Sequence, residues 1–185
     1  MNKHLEAVFN ILLPELERYG IDYWVYGGVS IAAYAGRFIR RNKDVDVFVK
    51  NIDYENAKLI LEKLCIQNTF ELIHKLPKNQ NDKPKIDIKI KGRKRMSVIP
   101  VYQKNDIVEF KYPEGNEEYA RQILEKVERN ISGYIFITPP DDYIKKIFMK
   151  HIKARPDKKM RDSFQLDAMA VLNQNELNLL EWKID

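Results

Sequence analysis

Asp22-Tyr-Trp-Val-Tyr26 runs into Gly27-Gly28-Val29-Ser30, and Lys43-Asp44-Val45-Asp46-Val47-Phe48-Val49 follows a short step later. The first piece reads as a strand ending in a glycine turn, with a helix beginning near residue 28 and stopped by Gly36. The second piece reads as a strand over 44–49. On a strand, residues two apart point to the same face, so Asp44 and Asp46 can grip one cation while Val45, Val47 and Val49 face a core. A strand, a glycine turn, a helix start with N–H groups lacking intrahelical partners, and a strand carrying paired acids together suit a metal-bound polyphosphate.

Outward from this stretch, residues 2–19 place Leu5, Val8, Phe9, Leu12, Leu16 and Tyr19 at helical spacing, with Gly20 as the stop and Pro14 as a kink or break. Asp53 is placed to cap a helix over 54–65, and 70–74 reads as a short strand. Residues 75–84, with Pro77, Asn79, Asn81 and Pro84, read as a loop. Lys85-Ile-Asp-Ile-Lys-Ile-Lys91 alternates strictly, with Ile86, Ile88 and Ile90 inward and Asp87 alone among lysines on the other face. Strands are expected at 96–102, 107–112 and 134–137, and helices at 116–129, 141–153, 160–172 and 174–182. The pattern turns from mixed β/α to all-helical near residue 139. This divides the chain into a core over 1–138 and a helical segment over 139–185 packed on it as one compact unit.

The 185 residues are 44% hydrophobic and 32% charged, ordinary for a globular chain with one substantial core. No apolar run is long enough to span a bilayer, and Glu6, Glu15 and Glu17 interrupt the N-terminal apolar positions, so neither a membrane partner nor a signal peptide is expected. Cys65 stands alone within an apolar helical pattern, which suits a buried residue in a reducing cytoplasm. The net charge of +5 hides strong segregation. Residues 75–95 and 145–161 each carry +7 and residues 37–43 carry +4, which leaves −13 for the remainder. Such segregation suits a polyanionic ligand, nucleotide phosphates or RNA.

Nucleotidyl transfer asks the protein for position and charge more than for covalent chemistry. Two Mg²⁺ ions, with Mn²⁺ as an alternative, would need several carboxylates on adjoining strands. Asp44 and Asp46 supply two. Asp87 is the third, as metal ligand and as base for the attacking hydroxyl. Gly27 and Gly28 let backbone approach phosphates closely, and Ser30 is placed to bond a phosphate oxygen. Arg40, Arg41 and Lys43, just before the acidic strand, are candidates for phosphate or acceptor contacts. Lys146, chosen from Lys145, Lys146 and Lys150, is the candidate to meet a triphosphate. His4, His74 and His151 show no metal-ligand spacing, and Trp24 and Trp182 read as packing residues.

The ordered set Gly27-Gly28-Val29-Ser30, helix, Asp44-Val45-Asp46 and a later Asp87 resembles the signature of the polymerase-β-like nucleotidyltransferase superfamily. Farther on, Pro139-Pro140-Asp141-Asp142-Tyr143-Ile144-Lys145-Lys146 and Met160-Arg161-Asp162-Ser163-Phe164-Gln165-Leu166-Asp167 look like its AbiEii-type branch, which includes bacterial toxins. Gln165 stands where that branch carries its second acid, which puts any catalytic duty of Asp162 in question. The resemblance implies an α/β (α+β) fold with a mixed twisted sheet flanked by helices, an NTP substrate, and Mg²⁺ held by Asp44, Asp46 and Asp87. For the acceptor it leaves three readings: RNA or tRNA, with a cognate antitoxin as partner; an antibiotic-sized small molecule; or none, in a non-catalytic nucleotide or RNA binder. The basic stretches lean towards RNA.

Overall fold

The structure, a computed structural model, describes residues 2–77, 83–111 and 115–182. Part of the expected loop over 75–84 and the end of the expected strand over 107–112 lie outside the described residues. The chain opens on a helical stretch in three gauges: a 3₁₀ turn at Lys3–Leu5, a widened π turn at Val8–Leu12 and α1 at Leu13–Arg18. Pro14 has no N–H to donate, so the regular ladder must lose a bond there. The helix answers by widening: the Leu13 N–H reaches back to the Val8 carbonyl. Leu5, Val8, Phe9, Leu12, Leu13 and Leu16 are buried, but Tyr19, expected on that face, is exposed.

Strand β1 (Tyr23–Tyr26) leads into α2 (Gly28–Tyr34), and β2 (Val45–Lys50) returns antiparallel to β1. After α3 (Tyr54–Asn68) come β3 (Glu71–Lys75), β4 (Lys85–Ile90) and β5 (Arg93–Lys104). The sheet order is β1-β2-β5-β4-β3, with β2 and β5 parallel and the other neighbours antiparallel. Between the parallel strands β2 and β5 the chain runs through α3, β3 and β4. The far end of the long β5 carries β6 (Ile107–Phe110), which pairs with β7 (Glu117–Ala120). A separate hairpin joins β8 (Val127–Ile131) to β9 (Tyr134–Thr138).

One face of the sheet, with Val25, Val45, Val47, Val49, Ile86, Ile88, Met96 and Val98, packs under the N-terminal helix and α3. Cys65 lies in this layer, where burial pushes its thiol up to about 11. The opposite face collects Trp24, Phe48, Ile99, Val101, Val108 and Phe110. The chain ends in α4 (Asp141–Ala154), a 3₁₀ turn at Pro156–Met160, α5 (Asp162–Val171) and α6 (Gln174–Leu179). Ile144, Phe148, Ile152, Ala168, Val171 and Trp182 form a third apolar layer that takes in Ile31 of α2. The mixed α/β architecture is as expected.

One expected element is absent. Instead of a helix over 116–129, the chain forms β7, a 3₁₀ turn at Arg121–Leu124 and β8. Tyr119 and Ile123 are buried at helical spacing, but they are brought there by a strand followed by one tight turn. The ladder to β6 and the β8–β9 hairpin, closed at Ser132-Gly133, satisfy the backbone that a helix would have satisfied. The expected helix over 160–172 also begins later, at Asp162, after the 3₁₀ turn.

Candidate active site

Register places the acids. Tyr26 faces Asp46 across β1–β2, Asp46 faces Ser97 across β2–β5, and Ser97 faces Asp87 across β5–β4. These residues form one row on the sheet face opposite the Val45–Val47–Val49 core. Asp46 and Asp87 stand two strands apart, about 10 Å between backbones at the usual strand spacing. Asp44 precedes β2, and its carboxylate pairs with the Lys94 ammonium at 2.5 Å.

The acids differ sharply in their surroundings. The Asp46 carboxyl is pushed up to about 6, first by removal from water and next by the Asp44 carboxylate beside it. Burial alone would raise Asp87 as well. Instead Lys75 at 2.6 Å, the Ser97 hydroxyl, which donates to it at 2.8 Å, and Lys85 at 3.5 Å hold it below the ordinary carboxylate range. For Lys94, burial would lower the ammonium, but Asp44, with Asp46 and Asp87 behind it, holds it above the usual lysine range.

The glycine turn explains the close fit around these acids. Gly27 has φ +70°, and a Cβ there would meet Asp46 Oδ2 at 3.0 Å. At Gly28 a Cβ would meet Arg40 Nη2 at 2.4 Å and Asn42 Oδ1 at 2.6 Å. The missing side chains thus let Asp46 and Arg40 lie against the backbone. Ser30 is buried, and its hydroxyl donates to the Gly27 carbonyl at 2.8 Å. Asn42 Oδ1 is buried with no hydrogen-bond partner among the described residues, an acceptor aimed at the same place.

Apart from Asp87 and Ser97, which lie behind Lys75 and Lys85, these residues line a cavity of about 770 Å³ between the sheet and the C-terminal helices. Gly27, Gly28, Ser30, Arg40, Arg41, Lys43, Asp44 and Asp46 form one wall, joined by Lys75, Lys85 and Lys94. Ile144, Ile147, Phe148 and His151 of α4, with Phe164 and Asp167 of α5, form the other. Arg40 makes a two-pronged bond to Asp167, Nε to Oδ1 and Nη2 to Oδ2, both at 2.7 Å. Asp167 is almost wholly buried, and burial raises its carboxyl against the opposing pull of Arg40.

The structure brings together Asp44, Asp46, Gly27, Gly28, Ser30, Arg40, Arg41 and Lys43, and sets Asp87 on the same face. Two residues lie elsewhere than expected. Lys146 is not at the cavity: it sits over the Tyr143 ring on the outside of α4 and bonds Asp142 at 3.0 Å. The helix turns His151 inward instead. Asp87 stands apart from the Asp44–Asp46 pair: among the described residues the three acids do not form one cluster. Its oxygens are taken by Lys75, Lys85 and Ser97. Asp44 and Asp46 do fit a divalent cation: they offer hard oxygens side by side, and the Lys94 ammonium already rests where positive charge is wanted.

Lys94 and Asp167 were missed in the sequence. Lys94 is one of many lysines there and carries no distinguishing signal. Asp167 does carry one, an acid three residues past Phe164 and four before Val171, on the face of a helix that should be apolar. Among the described residues no helix is long and apolar enough to cross a membrane.

Residues 8–105 match the family model described as Aminoglycoside-2″-adenylyltransferase. No curated protein matches the chain. Among solved structures, it resembles the lincosamide antibiotic adenylyltransferase LnuA bound to lincomycin, with a TM-score of 0.62 and 14% identity, covering 92% of this chain and 96% of that one. It resembles ANT(2″)-Ia in complex with adenylyl-2″-tobramycin at 0.62 and 13%, covering 97% and 95%. A putative nucleotidyltransferase from Thermotoga maritima follows at 0.60 and 13%, covering 87% and 93%. At these identities the likeness establishes a nucleotidyltransferase fold. The AbiEii-type branch is not among these matches.

Proposed function

The chain belongs to the aminoglycoside-2″-adenylyltransferase family, and from that premise we propose that this nucleotidyltransferase moves the AMP group of ATP onto a hydroxyl of a small-molecule acceptor. The observation that carries the reading is the Asp44–Asp46 pair set against the Gly27-Gly28 turn on the wall of one cavity. Its volume of about 770 Å³ suits small-molecule ligands. The RNA-directed, toxin-like reading and its antitoxin partner draw no support from the family match.

Enzymes of this kind generally depend on a divalent metal. Asp44 and Asp46 would hold it, with Mg²⁺ the ion proposed. When bound, it supplies positive charge to the phosphates and the leaving group. Gly27 and Gly28 keep backbone low so that the triphosphate can lie along the turn, with Lys94 and Arg41 as counter-charges. In the transfer the acceptor oxygen attacks the α-phosphorus, and the bond from that phosphorus to the bridging oxygen breaks. Pyrophosphate leaves with the electron pair, and the hydroxyl proton passes to a carboxylate. Asp87, held ionised by its lysines, is our candidate for that base once the exposed Lys75 side chain swings aside. Arg40, locked by Asp167, holds the floor of the turn.

The test is label transfer from [α-³²P]ATP, beside the other three NTPs, into a panel of aminoglycosides, lincosamides and sugar phosphates, with Mg²⁺ or Mn²⁺. We expect labelled product and pyrophosphate with ATP from the wild type and none from Asp46→Asn. Product from both proteins alike would sink the assignment. Asp87→Asn should lower kcat by about 10²–10⁴-fold while ATP affinity holds, the signature of a lost base.

A further inference from the structure

A second hollow, of about 540 Å³, opens on the other side of Asp44. Among the described residues five cations line it, Arg41, Lys43, Arg93, Lys94 and Arg95, against one acid, Asp44. Asp44 is already engaged by Lys94. Arg41, Lys43 and Arg93 make no ion pair among the described residues. Arg95 is held in place by a bond from Nη1 to the Lys43 carbonyl at 3.0 Å, and burial together with Arg93 and Arg41 lowers its affinity for its proton. His4, on the rim, bonds the Asn42 carbonyl at 2.7 Å. Cations crowded so closely repel one another, and the cost is relieved when an anion enters. Arg41, Lys43, Asp44 and Lys94 also line the main cavity, so the two hollows meet at Asp44, and Asp46 lies on the main-cavity side.

We propose that this second hollow is a phosphate-binding subsite for the acceptor, so that the molecule receiving the nucleotide carries phosphate as well as the attacked hydroxyl. This rests on the nucleotidyl-transfer reading and names its substrate class. A phosphate held by Arg93 and Arg95 places the rest of the acceptor beside Asp44 and Asp46, while ATP fills the main cavity from the Gly27-Gly28 turn. The charge balance of the main cavity agrees: among the described residues, ten Lys and Arg line it against four Asp and Glu, an unfavourable setting for a polycationic aminoglycoside. Two sources of phosphate fit, a phosphorylated small molecule and the backbone of RNA.

Arg93 is the residue to change, because it is exposed and makes no side-chain bond within the described residues that its loss would break. Binding of ribose 5-phosphate, of ribose and of a twelve-nucleotide single-stranded RNA is measured by calorimetry on the metal-free, ATP-free protein. Affinity for a non-hydrolysable ATP analogue is measured in parallel. We expect a phosphate-bearing probe to bind, ribose not to bind, and Arg93→Glu to weaken the phosphate probe at least tenfold without moving the ATP analogue. Binding of ribose 5-phosphate assigns a small-molecule acceptor. Binding of RNA alone, with affinity falling steeply with salt, assigns a polynucleotide. The proposal is overturned if neither probe binds, if Arg93→Glu leaves both unchanged, or if the ATP analogue weakens equally, which would give the hollow to the nucleotide. Failure of nucleotidyl transfer itself would show in the label assay and leave these binding results standing.

Discussion

At the scale of single residues, Asp46 is the site carboxyl that its surroundings push furthest towards its protonated form. Its carboxyl titrates at about 6 in the folded chain against about 3.9 when unfolded, so the native state binds its proton more tightly. Stability of the metal-free protein therefore falls as pH rises from about 4 to about 6, and the loss is complete above that window. Asp46→Asn removes the penalty. By thermal melting, the metal-free variant should exceed the wild type at pH 7.5 by up to about 2 kcal/mol, and the gap should close by about pH 4. Adding Mg²⁺ and ATP should reverse the order, because only the wild type has both oxygens to offer. A metal-free variant that melts below the wild type at pH 7.5 would refute this account of the site. Gly28 offers a second test. A methyl there meets the Arg40 guanidinium at 2.4 Å, so Gly28→Ala should cost about 1–3 kcal/mol in stability and lower activity by pushing Arg40 off its seat.

At the scale of elements, the β4–β5 hairpin sets the positions of Asp87 and Ser97. Its two turn residues, Lys91 and Gly92, have φ of +53° and +71°. Lysine is strained in that region, and Asn followed by Gly is the preferred pair for such a turn. Lys91→Asn should raise stability by about 0.5–1 kcal/mol in a denaturant melt, with the rate of transfer unchanged. The alternating isoleucines made β4 legible in the sequence. The Gly-Gly turn and the Asp-x-Asp strand were legible for the same reason, since each is fixed by local chemistry. The 117–131 stretch was not. Tyr119, Ile123 and Val127 recur at helical spacing, yet what decides their structure is the ladder to β6 and the pairing of β8 with β9, both non-local. Lys146 was misjudged more narrowly: the helix was right, but which of its faces meets the cavity depends on how α4 lies against Ile31.

At the scale of the whole molecule, Arg40 and Asp167 join the two walls of the cavity across 127 residues of sequence. Neither residue's partner could be read locally, because the contact exists only once the C-terminal helices pack against α2. The pair is buried on the Asp167 side and bidentate, so removing one partner strands the other charge. Asp167→Asn should cost about 3 kcal/mol and weaken ATP binding, because Arg40 then no longer braces Gly28. Arg40→Gln alone should do similar damage by leaving the carboxylate without its counter-charge. The double variant Arg40→Gln with Asp167→Asn should lose clearly less stability than the two single losses added together, since both charges are gone. Denaturant melts of the four proteins measure that difference directly. If the losses simply add, the bridge does not couple the helical segment to the nucleotide turn. If the double variant recovers stability but not ATP affinity, the bridge serves two separable purposes, with the fold needing only charge balance and the site needing the Arg40 guanidinium in place.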